Sequence, residues 1–332
     1  MKTPATTSQT QSAARRARNR SKTRETRTRA RPVYPGRRAK TTRRCSERRM
    51  FFTPDKQAEV IHNFVGYCLA HVANKYDIQV HACVFMSNHH HTDITDPNGN
   101  IVRFTQQFHS LLARGINILR KRFDGVWSRD KPCNTLRALG DEALDDLVYT
   151  LTNPVAAGLV KWGHLWPGFT TYGWKFGETR TFERPSFLFD PQGGMPATVE
   201  LTLKRPQILH HLQDDELFDL LMTRVRAREK AIQTNFRQNS RRFVGLEKIR
   251  RQQWDRAPRS FDERFAQTPH VAASSKWLLL AELQRDRVWE HKYAAARHEL
   301  LNGHKAVFPT GTYWLRHQAG VTVEGRGPPP LD

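Results

Sequence analysis

Residues Met86-Ser87-Asn88-His89-His90-His91-Thr92-Asp93-Ile94-Thr95 constrain this chain more than any other stretch. They follow an apolar run, Ile78 to Met86, in which β-branched and apolar residues alternate with others, the pattern of a strand. If that strand, or a partner starting at Asn88, continues through the histidines, successive side chains point to opposite faces. His89, His91 and Asp93 then share one face, while His90 and Thr92 take the other. Two imidazoles two residues apart on a strand can reach one divalent ion from the same face, given a further ligand from elsewhere. The rival readings are histidines hydrogen-bonded in a core or at a surface, and a zinc site. For zinc, no cysteine pair is present to complete the usual structural tetrahedron.

The segments around this stretch set the fold class. Thr41 to Phe52 reads as a first strand that enters the core at Met50-Phe51-Phe52, and Pro54-Asp55 opens a helix from Lys56 to Tyr76. Asp96-Pro97-Asn98-Gly99-Asn100 is a strong turn signal. A second helix is expected from Ile101 to Arg122, burying Phe104, Phe108, Leu111, Leu112, Gly115 and Leu119. Its opposite face carries Arg103, Ser110, Arg114, Asn117 and Lys121 at helical spacing. Such a face is either solvated or follows a phosphate backbone; its closeness in sequence to the histidines selects Arg103, Arg114, Asn117 and Lys121 as candidate DNA contacts. A third helix, Gly140 to Thr152, turns Leu144, Leu147, Val148 and Leu151 to the core. Tyr149 falls outside that row.

Strands interleaved with helices in this order predict an α+β fold, a central antiparallel sheet flanked by helices. Helices are expected again over Asp214 to Arg237 and Lys276 to Leu301, and a strand and turn over His304 to Leu315. The chain thus divides into a basic arm (1–40), a catalytic-type domain (41–180) and a mainly helical C-terminal region (181–332).

Charge bears on the partner. The 332 residues carry a formal +22, and residues 1–49 hold seventeen Lys or Arg against Glu25 and Glu47. Residues 1–40 have almost nothing to bury and are expected to be disordered, as is the tail from Gly325 to Asp332. A basic balance of this size makes nucleic acid the first partner to consider, because neutralising phosphates supplies affinity whatever the sequence. A membrane is not expected: the arm lacks the apolar face of an interfacial helix, and no apolar run approaches the ~20 residues of a span. Four cysteines without a CxxC pair agree with a reducing cytoplasm. The arm also shares composition with organelle transit peptides.

A tyrosine hydroxyl, with an ordinary pKa of ~10, needs its target or itself activated before it attacks at neutral pH. A divalent ion polarising a scissile phosphate is one such device. Asn153 follows Tyr149 by four residues, so one helical turn would point both the same way and offer an amide oxygen to a hard cation. Pro154 disfavours helical geometry at Asn153, so the helix ends or bends there.

At this point two motifs resemble a known family. Asn88-His89-His90-His91 is similar to the His-hydrophobic-His motif of single-tyrosine HUH nucleases. Tyr149-Thr150-Leu151-Thr152-Asn153-Pro154-Val155, followed by Ala157-Gly158-Leu159-Val160, resembles the nucleophile helix of the REP-associated tyrosine transposases. The resemblance spans residues 41–170. It implies a sheet on the RNA-recognition-motif (ferredoxin-like) plan and cleavage and rejoining of single-stranded or hairpin DNA through a 5′-phosphotyrosine. It also implies Mg²⁺ or Mn²⁺ held by His89, His91 and Asn153, with Tyr149 as nucleophile, in a cytoplasmic, nucleoid-associated protein. The site could lie within one chain or be shared across a homodimer. Two positions depart from the family pattern: His90 stands where an apolar residue is preferred, which leaves open which imidazole faces the ion, and Asp93 stands where a hydrophobic one is usual. These departures motivate the alternative of a DNA- or RNA-binding protein without catalysis; a replication-type nickase is a further alternative.

Overall fold

The strand that carries the histidines lies inside a five-stranded sheet, hydrogen-bonded on both edges. The computed structural model describes residues 30–129, 132–138, 143–258 and 269–325. In chain order the elements are β1 (Arg37–Arg44), α1 (Ala58–Tyr76), β2 (Gln79–Phe85), β3 (His89–Asp96), α2 (Ile101–Leu119) and β4 (Cys133–Arg137). There follow α3 (Ala143–Leu151), α4 (Asn153–Ala156), β5 (Thr179–Glu183), β6 (Thr198–Thr202), α5 (Asp214–Gln238) and α6 (Leu246–Arg250). Last come β7 (Val271–Ala272), α7 (Lys276–Leu301), β8 (Val307–Phe308), α8 (Trp314–Ala319) and β9 (Thr322–Val323). The central sheet runs in the order β2-β3-β1-β4-β7, antiparallel except for the short parallel pair β4–β7. This is the expected α+β class, a mostly antiparallel sheet flanked by helices with a mainly helical C-terminal region.

Alternation along β3 sorts the two layers. His90, Thr92 and Ile94 are fully buried, and His90 packs on Phe85 and on Phe108 of α2, so α1 and α2 cover this face. Helix α2 can sit tightly on α1 because Gly115 has no side chain: a Cβ there would collide with the Phe64 ring. At the turn after β3, the Asp96 carboxylate accepts from the backbone N–H groups of Asn100 (2.8 Å) and Ile101 (2.7 Å) and starts α2. His89, His91 and Asp93 point to the other side of the sheet, where α3 lies.

Several expectations need correction. The first strand begins at Arg37, inside the segment expected to be disordered; the expectation for residues 1–29 falls outside the described residues, as do those for the start of the third helix and for most of the C-terminal tail. A strand of sequence RRAKTTRR buries Arg37 only because Glu282 of α7 accepts a hydrogen bond from it at 3.0 Å. No local pattern discloses a partner 245 residues away. Nor does that strand reach Phe52. Glu47 and Arg48 take positive φ (52° and 58°) and turn the chain, which then delivers Phe51 and Phe52 to the core as a loop. The β5–β6 hairpin was not foreseen, and Phe182 from it lies against Gly66 of α1, where a Cβ would clash. One apolar cluster includes residues on both sides of position 180, from Ala39 through Phe182 to Leu217, Leu221 and Val225 of α5.

His81 shows what this packing does to a titratable group. It lies at the bulge between Val80 and Ala82, is 1% exposed, and sits between the Lys204 carbonyl oxygen (Nδ1, 2.7 Å) and the Thr95 hydroxyl (Nε2, 2.8 Å). Burial pushes it down to about 4, so the folded chain keeps it neutral while the unfolded chain protonates near 6.5. The unfolded state therefore binds more protons between these values, and stability falls as pH drops, by at most ~1.4 kcal/mol per pH unit from this residue. Urea midpoints between pH 7 and pH 4.5 should show that slope. It should be shallower in His81→Gln, which retains a donor and an acceptor but does not titrate; an unchanged slope would exclude His81 as its source.

Candidate active site

Helix α3 carries the apolar row read from the sequence. Leu144, Leu147, Val148 and Leu151 are all buried. Tyr149, one position past that row, is 40% exposed and lies at the edge of the sheet face that carries the odd-numbered histidines. Its ring meets His91 edge to face, with centroids 5.7 Å apart at 86°. His91 in turn meets His89 at 5.1 Å and 89°. The three rings make a continuous row, from α3 on to β3.

Each imidazole of that row is oriented through Nδ1. The Asn88 amide donates from Nδ2 to the Arg48 carbonyl at 3.1 Å, which turns its Oδ1 to accept from His89 Nδ1 at 2.7 Å. A proton on Nδ1 places the ring's lone pair on Nε2, the metal-binding form fixed by an outer partner. His91 Nδ1 lies 3.0 Å from the Thr42 hydroxyl, on its cross-strand neighbour in β1. Burial, with the nearby His89 and Lys40, pushes His91 well below the ordinary histidine value, so its imidazole is neutral near pH 7.

The register question raised by His90 is resolved. His90 is stacked on Phe85 (centroids 4.8 Å), its Nε2 is 2.8 Å from His109 Nε2, and its Nδ1 is 3.0 Å from the Thr92 hydroxyl. Burial pushes it down to about 3. It fills a core position as a neutral ring, and it is His89 and His91 that share the face of Tyr149.

Asp93 shares that face but is turned away from ligation. It is fully buried, its Oδ2 accepts from the Thr150 hydroxyl, and its Oδ1 lies 3.8 Å from Lys40 Nζ. Lys40 stands opposite Asp93 in β1 and reaches Asp146 Oδ1 at 3.6 Å as well. Its ammonium lies 4.4 Å from the centre of the Tyr149 ring. The Arg228 guanidinium of α5 approaches the same ring at 5.4 Å. Two cations thus flank a group that would take on negative charge in a displacement. Neither was singled out from the sequence: Lys40 lay in the supposed disordered arm, and Arg228 was one of many cations in the basic half of a helix.

Asn153 begins α4, after Thr152 (φ −89°, ψ 1°) interrupts regular helix. The break is gentle, since the Thr152 N–H still bonds to the Val148 carbonyl at 3.0 Å and the Ala157 N–H to that of Asn153 at 2.9 Å. Asn153 is 8% exposed, and its amide makes no hydrogen bond among the described residues. Asn153, four residues after Tyr149, offers an amide oxygen without a hydrogen-bond partner among the described residues, and with the two Nδ1-anchored imidazoles it supplies donor types that suit a hard divalent ion. Among the described residues no group of three or more His, Cys, Asp and Glu is arranged to hold a metal ion.

The α2 stripe lies elsewhere. Arg103, Arg114, Asn117 and Lys121 belong to the helix and loop that cover the His90 face, across the sheet from Tyr149. Asn117 is also engaged within the protein, donating to the Asp124 carbonyl (3.0 Å) and accepting from Arg122 (2.9 Å). Arg103 contacts His317 of α8 at 3.4 Å. Closeness to the histidines in sequence is not closeness in space.

No family model and no curated protein matches the chain. One solved structure is similar. It is a REP-associated tyrosine transposase bound to a REP hairpin, 16% identical, matched over 43% of this chain and 81% of its own, with a TM-score of 0.36. A likeness this slight carries no argument about activity. No helix among the described residues is long and apolar enough to cross a membrane.

Proposed function

We propose that this protein cleaves and rejoins single-stranded or hairpin DNA, with Tyr149 as the nucleophile and Mg²⁺ or Mn²⁺ as cofactor. The observation that carries this is the row Tyr149–His91–His89, in which a part-exposed phenol from a helix meets two oriented imidazoles from a strand. The order and spacing of the two sequence motifs support the same chemistry. The phenolic oxygen of Tyr149 attacks phosphorus, the bond from phosphorus to the 3′ oxygen breaks, and a 5′-phosphotyrosine remains. The phenol's proton passes to solvent and the departing 3′ oxygen takes one up, so a free 3′-hydroxyl is the other product. Attack by that or another 3′-hydroxyl on the phosphotyrosine reverses the step and rejoins a strand. His89, His91 and Asn153 would hold the ion, which when bound supplies a Lewis acid for the phosphate. Thr42 and Asn88 hold the imidazoles in place for it, and Lys40 and Arg228 put positive charge beside the ring of the phenol.

The test is a denaturing gel of the full-length protein with labelled hairpin oligonucleotides in Mn²⁺ or Mg²⁺, scored for a covalent adduct. His89→Ala and His91→Ala should each lower adduct formation by roughly 100-fold or more, the scale of losing charge stabilisation at a transition-state oxygen. They should also remove its dependence on the divalent ion. Wild-type cleavage in both variants would dismiss the two ligands.

A further inference from the structure

We propose that Arg228 is the residue that grips the reacting phosphate at Tyr149, a role supplied to the site by the C-terminal helix α5. This rests on the proposed role of Tyr149. Four cations lie on β1 or α5 near the phenol and its helix, and their partners separate them. Lys40 lies within ion-pair distance of Asp93 (3.8 Å) and Asp146 (3.6 Å), so two carboxylates compete with a phosphate for it. Arg224, one turn earlier on α5, pairs with Asp145 of α3 at 3.1 Å. Arg226, on a different face of α5, pairs with Glu229 at 3.2 Å and lies over Trp162. Arg228 is exposed, has no carboxylate within ion-pair distance among the described residues, and makes one contact, to the Tyr149 ring at 5.4 Å.

A guanidinium held over the ring of a nucleophile, with no carboxylate to balance it, is a vacant place for an anion. Its planar fork matches two oxygens of a phosphodiester. His91 meets the Tyr149 ring from β3 and Arg228 meets it from α5, so both reach the residue that would carry the phosphate. Leu221 and Val225 of α5 pack in one apolar cluster with Leu144, Leu147, Val148 and Leu151 of α3, which sets the height of Arg228 over the ring, with the exposed Arg224–Asp145 pair at the rim.

Binding separates this role from packing and does not require catalysis. In a Tyr149→Phe background, affinity for a 30-residue oligothymidylate is measured by anisotropy from 50 to 200 mM salt. Arg228→Gln should reduce the slope of log affinity against log salt by about 0.7, the release expected for one single-strand phosphate. Arg228→Lys should preserve the slope. An unchanged slope in the Gln variant, or equal loss in the Lys variant, would overturn the proposal. Activity then locates the contact. With Tyr149 intact, Arg228→Gln should slow adduct formation at least tenfold. The gap should close when the phosphate that the wild-type protein cuts is replaced by an uncharged methylphosphonate. An adduct formed by Arg228→Gln at the wild-type rate, or a gap that persists on the methylphosphonate, sinks Arg228 and leaves Tyr149 standing. If the wild-type protein makes no adduct, it is the role of Tyr149 that fails, and the salt slope still decides whether Arg228 binds phosphate.

Discussion

A Tyr149→Phe protein is expected to form no covalent adduct with hairpin DNA, a loss of roughly 10³-fold or more, to background. Its binding of the same DNA should stay within about threefold of wild type. The separation follows from what the side chain does in the structure. Its ring makes the contacts: edge to His91 at 5.7 Å, under Lys40 at 4.4 Å and under Arg228 at 5.4 Å. Its hydroxyl makes no hydrogen bond among the described residues, and Tyr149 is 40% exposed, so removing one oxygen neither opens a cavity nor strands a buried partner. Phenylalanine therefore keeps the helix, the rings and the cations in place and deletes only the nucleophile. An adduct that survives in this variant, mapped to another residue, would take the chemistry away from Tyr149 altogether. A loss of adduct accompanied by an equal loss of binding would mean that the hydroxyl recognises DNA instead of attacking it, which is what a binding protein without catalysis predicts.

The parts of this site that could be read from the sequence are those set by short-range periodicity. Alternation on a strand puts His89, His91 and Asp93 on one face whatever the rest of the chain does, and helical spacing leaves Tyr149 off the row of Leu144, Leu147, Val148 and Leu151. What could not be read is what tertiary contacts decide. Arg37 to Lys40 look like solvated arm because their burial depends on Glu282, Asp146 and Asp93, which come from α7, α3 and β3. The engagement of Asp93 within the protein is equally hidden, because its hydrogen-bond partner, Thr150, and its counter-ion, Lys40, lie on other elements. The α2 cations looked adjacent to the histidines because a turn of four residues joins β3 to α2. That same turn carries the chain to the opposite layer. His90 departs from an apolar pattern at no cost to the fold because Phe85, Thr92 and His109 provide both stacking and polar partners.

The second large effect concerns stability, and it falls on a carboxylate behind the site. Asp146, 6% exposed, accepts from Arg38 at 2.7 Å and from Arg137 Nε at 2.7 Å, with Lys40 at 3.6 Å. Ion pairs on a surface are worth ~0–1 kcal/mol, and on that scale Asp146→Ala would be nearly silent. Here the side chains of Arg38, Lys40 and Arg137 are only 10%, 12% and 16% exposed, so water cannot replace the lost carboxylate well. Breaking a buried pair by removing one partner costs about 3–5 kcal/mol, because the charges left behind stay desolvated and repel one another. Among the described residues, Asp93 would remain as the only acid beside Lys40. Asp146→Ala is therefore expected to lower the unfolding midpoint by on the order of 10 °C. It should also weaken adduct formation in protein that is still folded, since Asp146 pins α3 to β1 one turn before Tyr149. A change below about 1 kcal/mol would mean that water reaches the network and that α3 is held by Leu144, Leu147, Val148 and Leu151 alone.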